Sequence, residues 1–194
     1  MAEQYNFFAL IARMKYIDRW ALMRNTRLEN IQEHSHQVAV LAHVLALLQN
    51  RYFGGKLDPG EVAVAALYHD ATEIITGDMP TPIKYYNDTL RDSYKAVEAV
   101  AAQQLLDMLP EELQGDYAPL LKEEDPEVRK VVKAADKLSA YIKCVEELKA
   151  GNTEFLRARE QTWEALNDQP IPALSYFIEH FLPSFELTLD ELQK

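Results

Sequence analysis

At 194 residues the chain is long enough for one domain with a substantial core, and its net charge of −11 argues against a protein that grips a nucleic acid backbone, which needs a basic face to displace counterions. The single cysteine, Cys144, excludes an intrachain disulfide and a cysteine-rich zinc site, fits a reducing compartment and reads as a packed helix residue. The first twenty residues carry Glu3, Arg13, Lys15 and Asp18 with no signal-peptide pattern, and the longest apolar run, 38–48, is broken by His43, so a cytoplasmic protein without a membrane partner is expected.

In residues 5–16, Phe7, Leu10, Ile11 and Met14 fall on one helix face, which predicts a first helix. Residues 17–25 mix cations with Trp20 and lose a clean period, which reads as a loop or a short turn of helix. Asn30 followed by Glu33 resembles a capping box, and the helix it opens runs to about Tyr52, where Gly54 and Gly55 stop it. That helix is apolar nearly all round and is expected to be central.

Asp58 as cap and Pro59 at the first position start the next helix, which reads as continuous to Gly77. His69 and Asp70 are adjacent and Glu73 follows four and three residues later, so one face offers an imidazole and two carboxylates. Their setting is Val62, Leu67, Ile74, Ile75 and a run of small apolar residues. Burying even a neutral polar group without a partner there costs roughly 2 to 7 kcal/mol. A metal ion is an economical compensation; a locally hydrogen-bonded His-Asp pair without chemistry is the bland alternative.

Beyond Gly77, the segment Asp78, Met79, Pro80, Thr81, Pro82 cannot continue a helix and places a rigid loop next to Glu73. Further helices are expected at 90–109, 111–121, 126–150 after an Asp125 cap, 154–167 and 173–182, punctuated by Pro110, Gly151, Pro170, Pro172 and Pro183. No segment alternates at period two or repeats, so the expectation is an all-α globule.

Three histidines on the long helix compete for the inward face. His34 shares a stripe with Val38, Leu41, Leu45 and Leu48, whereas His36 shares one with Val40, His43 and Leu47, and periodicity alone does not choose between them. Asp136 interrupts the apolar pattern of Val132, Ala135, Leu138 and Ile142; it needs a buried partner, or else pairs with Lys133 or Lys137 on the helix flank. His180 has no acidic pattern around it and reads as structural.

His34, His69-Asp70 and Asp136 follow the order His, His-Asp, Asp on separate helices of an all-helical chain, the signature of the HD-domain metal-dependent phosphohydrolases. More specifically, Asp18-Arg19-Trp20, Leu22-Met23-Arg24-Asn25, Glu29-Asn30, Glu33-His34-Ser35, Tyr68-His69-Asp70-Ala71, Thr76-Gly77-Asp78, Pro80-Thr81-Pro82 and Ala135-Asp136 resemble the bacterial HD-domain 5′-deoxynucleotidases. The resemblance covers nearly the whole chain, to Pro183-Ser184-Phe185, and treats residues 1–194 as one domain.

The resemblance implies a divalent cation held by His34, His69, Asp70 and Asp136, and hydrolysis of 2′-deoxynucleoside 5′-monophosphates with little base preference. Two imidazoles and two carboxylates suit cobalt, manganese, iron or zinc rather than calcium. On the same reading Glu73 accepts the proton of the attacking water or orients that nucleophile, and Arg19 orients the phosphate. Trp20 walls off a ribose 2′-hydroxyl, and Asp78, Met79, Pro80 and Thr81 contact the nucleotide alongside His34, Asp70 and Asp136. A homodimer is also implied. Competing readings keep the site but change the substrate to a nucleoside triphosphate, a cyclic dinucleotide or a guanosine polyphosphate, or make the chain a non-catalytic, metal-stabilised nucleotide-binding module.

Overall fold

The computed structural model describes residues 4–84, 86–122, 125–169 and 171–193, with the side chains of Thr81 and Pro82 outside the description. Its helices are α1 (Phe7–Ile11), α2 (Ile31–Phe53), α3 (Pro59–Tyr68), α4 (Glu73–Thr76), α5 (Thr81–Lys84), α6 (Asp88–Leu106), α7 (Glu111–Lys122), α8 (Pro126–Lys149), α9 (Leu156–Asn167), α10 (Pro172–His180) and α11 (Leu189–Leu192). Among the described residues there is no strand, only an isolated antiparallel bridge between Asp18 and Asn30.

The long helices begin and end where their caps dictate. Asn30 accepts the Glu33 N–H at 3.0 Å, but the Glu33 carboxylate pairs with Arg27 rather than completing the box. Gly54 closes α2 at φ +72, and Asp58 and Asp125 cap α3 and α8 ahead of a proline. The α2 stripe of Val38, Leu41, Leu45 and Leu48 is buried against Val62, Ala65 and Ala66 of α3 and Val131, Ala135, Leu138 and Ile142 of α8. α10 adds Leu174 and Phe177 to that core. A second cluster joins Phe7 and Ala71 to Leu105, Leu106 and Leu121. Small residues on α3 let the three central helices approach closely, and that closeness brings their polar residues together.

Several boundaries differ from the periodicity. The first helix ends at Ile11 and resumes as a 3-10 turn over Met14–Tyr16, which keeps both Phe7 and Met14 buried. The stretch 65–78 is not one helix: α3 stops at Tyr68, and α4 restarts at Glu73. Between them the backbone bonds shorten to three-residue steps, Ala71 N–H to Tyr68 O at 2.9 Å and Glu73 N–H to Asp70 O at 3.0 Å, while the His69 ring takes the Ala66 carbonyl. The proline segment loops only as far as Pro80, because a proline is tolerated in the first turn of the short α5. Helix 154–167 opens instead as a 3-10 turn at Thr153–Phe155, and α10 gives way to another at Leu182–Glu186. Pro170 lies outside the described residues. Cys144 is buried in α8, and burial pushes its thiol up to about 11.

Candidate active site

His34 sits in the first turn of α2 with its ring fully buried. Its Nδ1 lies 3.2 Å from Ser139 Oγ on α8, and that hydroxyl is 2.9 Å from Gln37 Oε1, which can only accept. The one hydroxyl proton therefore goes to Gln37, and Ser139 accepts from His34 Nδ1–H. This leaves a lone pair on His34 Nε2, which faces Asp136 Oδ1 at 3.1 Å and Asp70 Oδ2 at 3.6 Å.

His69 repeats the arrangement at the end of α3. Its Nδ1 donates to the Ala66 carbonyl at 2.7 Å, while its enclosed Nε2 has no hydrogen-bond partner. Asp70 Oδ2 is 3.2 Å away, but without the alignment of a hydrogen bond. Ligand atoms of His34, His69 and Asp136 lie within 4.8 Å of one another, and Asp70 approaches both imidazoles.

Nitrogen lone pairs and carboxylates turned on one another repel unless something positive stands between them. The donor set, with each imidazole oriented through its second nitrogen, fits a divalent transition-metal ion. Where only protons compensate, His69 takes one: burial disfavours its imidazolium, but Asp70 by charge and contact, with Asp136, outweighs that and raises its pKa to about 9. Burial together with Arg19 lowers His34. Asp70 and Asp136 are held well below the carboxylate range, because the imidazoles, with Arg19 at Asp70, overcome the cost of burial.

Glu73, in the first turn of α4, is buried and its Oε2 has no partner. Burial, then the charges of Asp70 and Asp78, push it up to about 9 against the pull of Arg19 and Lys84. Asp78 is also raised, by burial and by Asp70 against Arg19. The turn before it is fixed by Gly77 at φ +74, a conformation that favours glycine, and by Tyr94 Oη, 3.4 Å from the Gly77 carbonyl and 3.2 Å from Thr76 Oγ1. Met79 and Pro80 are partly buried beyond Asp78, and the side chain of Thr81 lies outside the described residues.

Arg19 and Trp20 come from the loop 17–30, which is closed at its neck by Arg19 N–H to Glu29 O at 2.9 Å and Ile31 N–H to Ile17 O at 3.0 Å. Arg19 Nη1 donates to Asp70 Oδ2 at 3.2 Å and Nε to Glu29 Oε2 at 3.3 Å. Burial disfavours its charge, but Asp70, Asp136, Glu29 and Asp78 outweigh that and raise its pKa. Trp20 donates from Nε1 to the same Glu29 Oε2 at 3.0 Å and lies on Phe155 with ring centroids 5.4 Å apart. Its φ is +59, a left-handed conformation that costs a bulky residue on the order of 1 to 3 kcal/mol.

The far side of that loop is held by Glu147 of α8. Its carboxylate accepts from Thr26 N at 2.9 Å, Thr26 Oγ1 at 2.7 Å, Arg27 N at 3.3 Å and Asn152 Nδ2 at 2.8 Å, and it pairs with Lys143, which also donates to the Arg27 carbonyl at 2.6 Å. His36 and His43 point outward, which resolves the ambiguity on α2 in favour of His34. Asp136 turns to His34. His180 is exposed against Tyr176. Sequence reasoning missed the supporting roles of Glu29, Gln37, Ser139 and Glu147. Ser139 stands three residues after Asp136 on α8, a spacing that could have drawn notice.

The family model of YfbR-like 5′-deoxynucleotidases matches residues 6–185. The curated 5′-deoxynucleotidase YfbR of Escherichia coli O1:K1 is 50% identical over 194 residues, covering 99% of this chain and 98% of that protein. Among solved structures, an HD-domain phosphohydrolase from Listeria innocua superposes with TM-score 0.79 at 20% identity, over 97% of this chain and 92% of the other. The cyanophage S-2L HD phosphohydrolase DatZ, bound to dA and one catalytic zinc ion, superposes with TM-score 0.64 at 21% identity, over 97% and 99%.

Proposed function

The chain belongs to the YfbR-like 5′-deoxynucleotidase family, and we propose on that footing that it hydrolyses 2′-deoxynucleoside 5′-monophosphates to deoxynucleoside and phosphate at a cation held by His34, His69, Asp70 and Asp136. The observation that carries the metal assignment is the orphaned Nε2 of His69, enclosed beside Asp70 and mutually close to His34 and Asp136. Cobalt, manganese, iron and zinc all suit such a nitrogen and oxygen set, and the phage relative is described with zinc. When bound, the cation polarises the phosphate and lowers the pKa of water, from about 15.7 towards roughly 7 in favourable sites.

The chain's own groups do the rest. Arg19 commits Nε to Glu29 and one Nη1 hydrogen to Asp70, which leaves further donors of its rigid fork for a phosphate oxygen. The buried charge it keeps offsets the negative charge that builds as the ester oxygen departs. Glu73 is the group that accepts the proton of the attacking water. Burial and the carboxylates of Asp70 and Asp78 keep Glu73 protonated near neutral pH while their charge is uncompensated; with a cation bound, that charge is offset and the Glu73 carboxylate is freed to act as the base.

Trp20 is a rigid wall for the sugar, placed where a 2′-hydroxyl clashes, and Asp78 accepts from a sugar hydroxyl. Met79 and Pro80, next along the chain, are assigned to nucleotide contact together with it, as is Thr81, whose side chain lies outside the described residues. No base-reading group is assigned, so purine and pyrimidine substrates are expected to turn over alike. The protein is expected to act in the cytoplasm as a homodimer; no helix among the described residues is long and apolar enough to cross a membrane.

The test is an activity screen of the chelator-stripped protein with each divalent ion restored, against paired deoxy- and ribonucleoside monophosphates and a panel of triphosphates and cyclic dinucleotides. Metal-dependent phosphate release from the deoxy monophosphates alone is the expected result. Pyrophosphate release from triphosphates moves the assignment to another HD activity. Binding without turnover leaves only a nucleotide-binding module.

A further inference from the structure

We propose that Glu29 is the positioning residue that locks the phosphate-facing Arg19 and the sugar-facing Trp20 in one register, so that a single carboxylate oxygen sets the preference for deoxyribose over ribose. The inference rests on the roles given above to Arg19 and Trp20; its own support is geometric. Glu29 Oε2 accepts from Arg19 Nε at 3.3 Å and from Trp20 Nε1 at 3.0 Å. Both the Arg19 and Glu29 side chains are largely buried, at 13% and 12% exposure, so these bonds are shielded from competing water.

Adjacent side chains of an extended segment point to opposite faces. The left-handed φ of Trp20 breaks that alternation, and the indole N–H comes to the same oxygen as its neighbour's guanidinium. The backbone supports the arrangement, because Arg19 N–H donates to the Glu29 carbonyl at 2.9 Å beside the Asp18 and Asn30 bridge. Glu29 makes no hydrogen bond to His34, His69, Asp70 or Asp136 among the described residues and reaches the ligand set only through Arg19, which has its own Nη1 bond to Asp70, so its loss should spare cation binding. The consequence is coupling: releasing the indole lets it swing from the sugar, and releasing the guanidinium loosens the phosphate clamp, through one substitution.

The chain has two tryptophans, so a Trp163→Phe background makes Trp20 the sole tryptophan, read selectively by exciting beyond the tyrosine absorption band. In that background Glu29→Ala is expected to raise acrylamide quenching of Trp20 at least twofold. It should also lower the deoxy-to-ribo ratio of kcat/KM about tenfold or more and leave cobalt affinity within twofold. Glu29→Gln retains an acceptor for the indole but not the charge beside Arg19. It should restore the quenching and the ratio while the KM for the deoxy monophosphate stays raised; if the alanine protein does not fold, Glu29→Met, which fills the space but offers the indole no oxygen acceptor, takes its place. Unchanged quenching overturns the tether, and raised quenching with an unchanged ratio overturns the link to sugar selection. If the parent itself does not distinguish the sugars, the role given to Trp20 fails, and the quenching readout alone then decides whether Glu29 positions the pair.

Discussion

Glu73 is a carboxyl group with an unpartnered oxygen in a crowd of other carboxylates, an arrangement with a folding cost and no structural return. Replacing it with Gln keeps its volume and removes the proton acceptor. The expected outcome is a fall in kcat of about 10²- to 10⁴-fold, with cation and nucleotide affinity, measured by calorimetry, little changed. A variant turning over at the parental rate would remove Glu73 from the mechanism. Trp20→Ala should raise kcat/KM for ribonucleoside monophosphates relative to deoxy substrates, since it opens the space a 2′-hydroxyl needs; continued rejection of ribonucleotides contradicts that role.

Residue types, and the order that resembles the HD-domain enzymes, marked His34, His69, Asp70 and Asp136 as a candidate set, because imidazole and carboxylate on otherwise apolar faces demand compensation, and the fold brings them together. Their second contacts were not legible. That Ser139 fixes the tautomer of His34 depends on how α2 and α8 cross, and that Glu29 joins Arg19 to Trp20 depends on a left-handed φ at a tryptophan, which no propensity anticipates.

Among the elements, α2 and α8 are the scaffold, and each presents its site residue from a face otherwise buried in the core. Ser139→Ala leaves the Nδ1–H of His34 without its acceptor and frees the ring to turn. Cation affinity is expected to fall about 10- to 100-fold by calorimetric titration, with the helical signal unchanged. The caps of α2, α3 and α8 were readable from Asn30, Asp58 and Asp125, because a cap acts through its own few neighbours. The break between α3 and α4 was hidden because its apolar period runs on through the three-residue turns.

The loop 17–30 has no regular structure of its own beyond the bridge at its neck, and Glu147 supplies part of its anchorage. Burial opposes the charge of Glu147, but Lys143, Asn152 and Thr26 outweigh that and lower its pKa from 4.5 to about 2. A carboxylate with a lowered folded pKa contributes stability that is complete above the unfolded value and is lost as pH falls through the folded one. Glu147→Gln is therefore expected to destabilise the protein at pH 7 by roughly 2 to 3 kcal/mol, the gap closing between about pH 4.5 and pH 2. Denaturant melts of both proteins across that range check it; a gap independent of pH refutes the charge argument.

At the scale of the whole molecule, helices from the start, middle and end of the core each lend one part of a site that none could form alone. Binding at such a convergence ties α2, α3 and α8 together, so cation should stabilise the fold. At a hundredfold excess over its Kd the gain is about 2.7 kcal/mol, or roughly 5 to 10 °C in melting temperature, lost on adding chelator. The all-helical architecture was readable because period 3.6 runs through nearly every segment; the short α5 and α11 carry too few residues to show a period. The excess of acid fits the proposal that Arg19 and a cation, rather than a basic surface, receive the anionic substrate.

The most direct test is phosphate release from deoxyadenosine monophosphate by the stripped protein as cobalt is titrated in. The account predicts activity rising from background to a plateau at one ion per chain, and no such rise in Asp136→Ala. Full turnover without added ion, or an undiminished plateau in that variant, would contradict it.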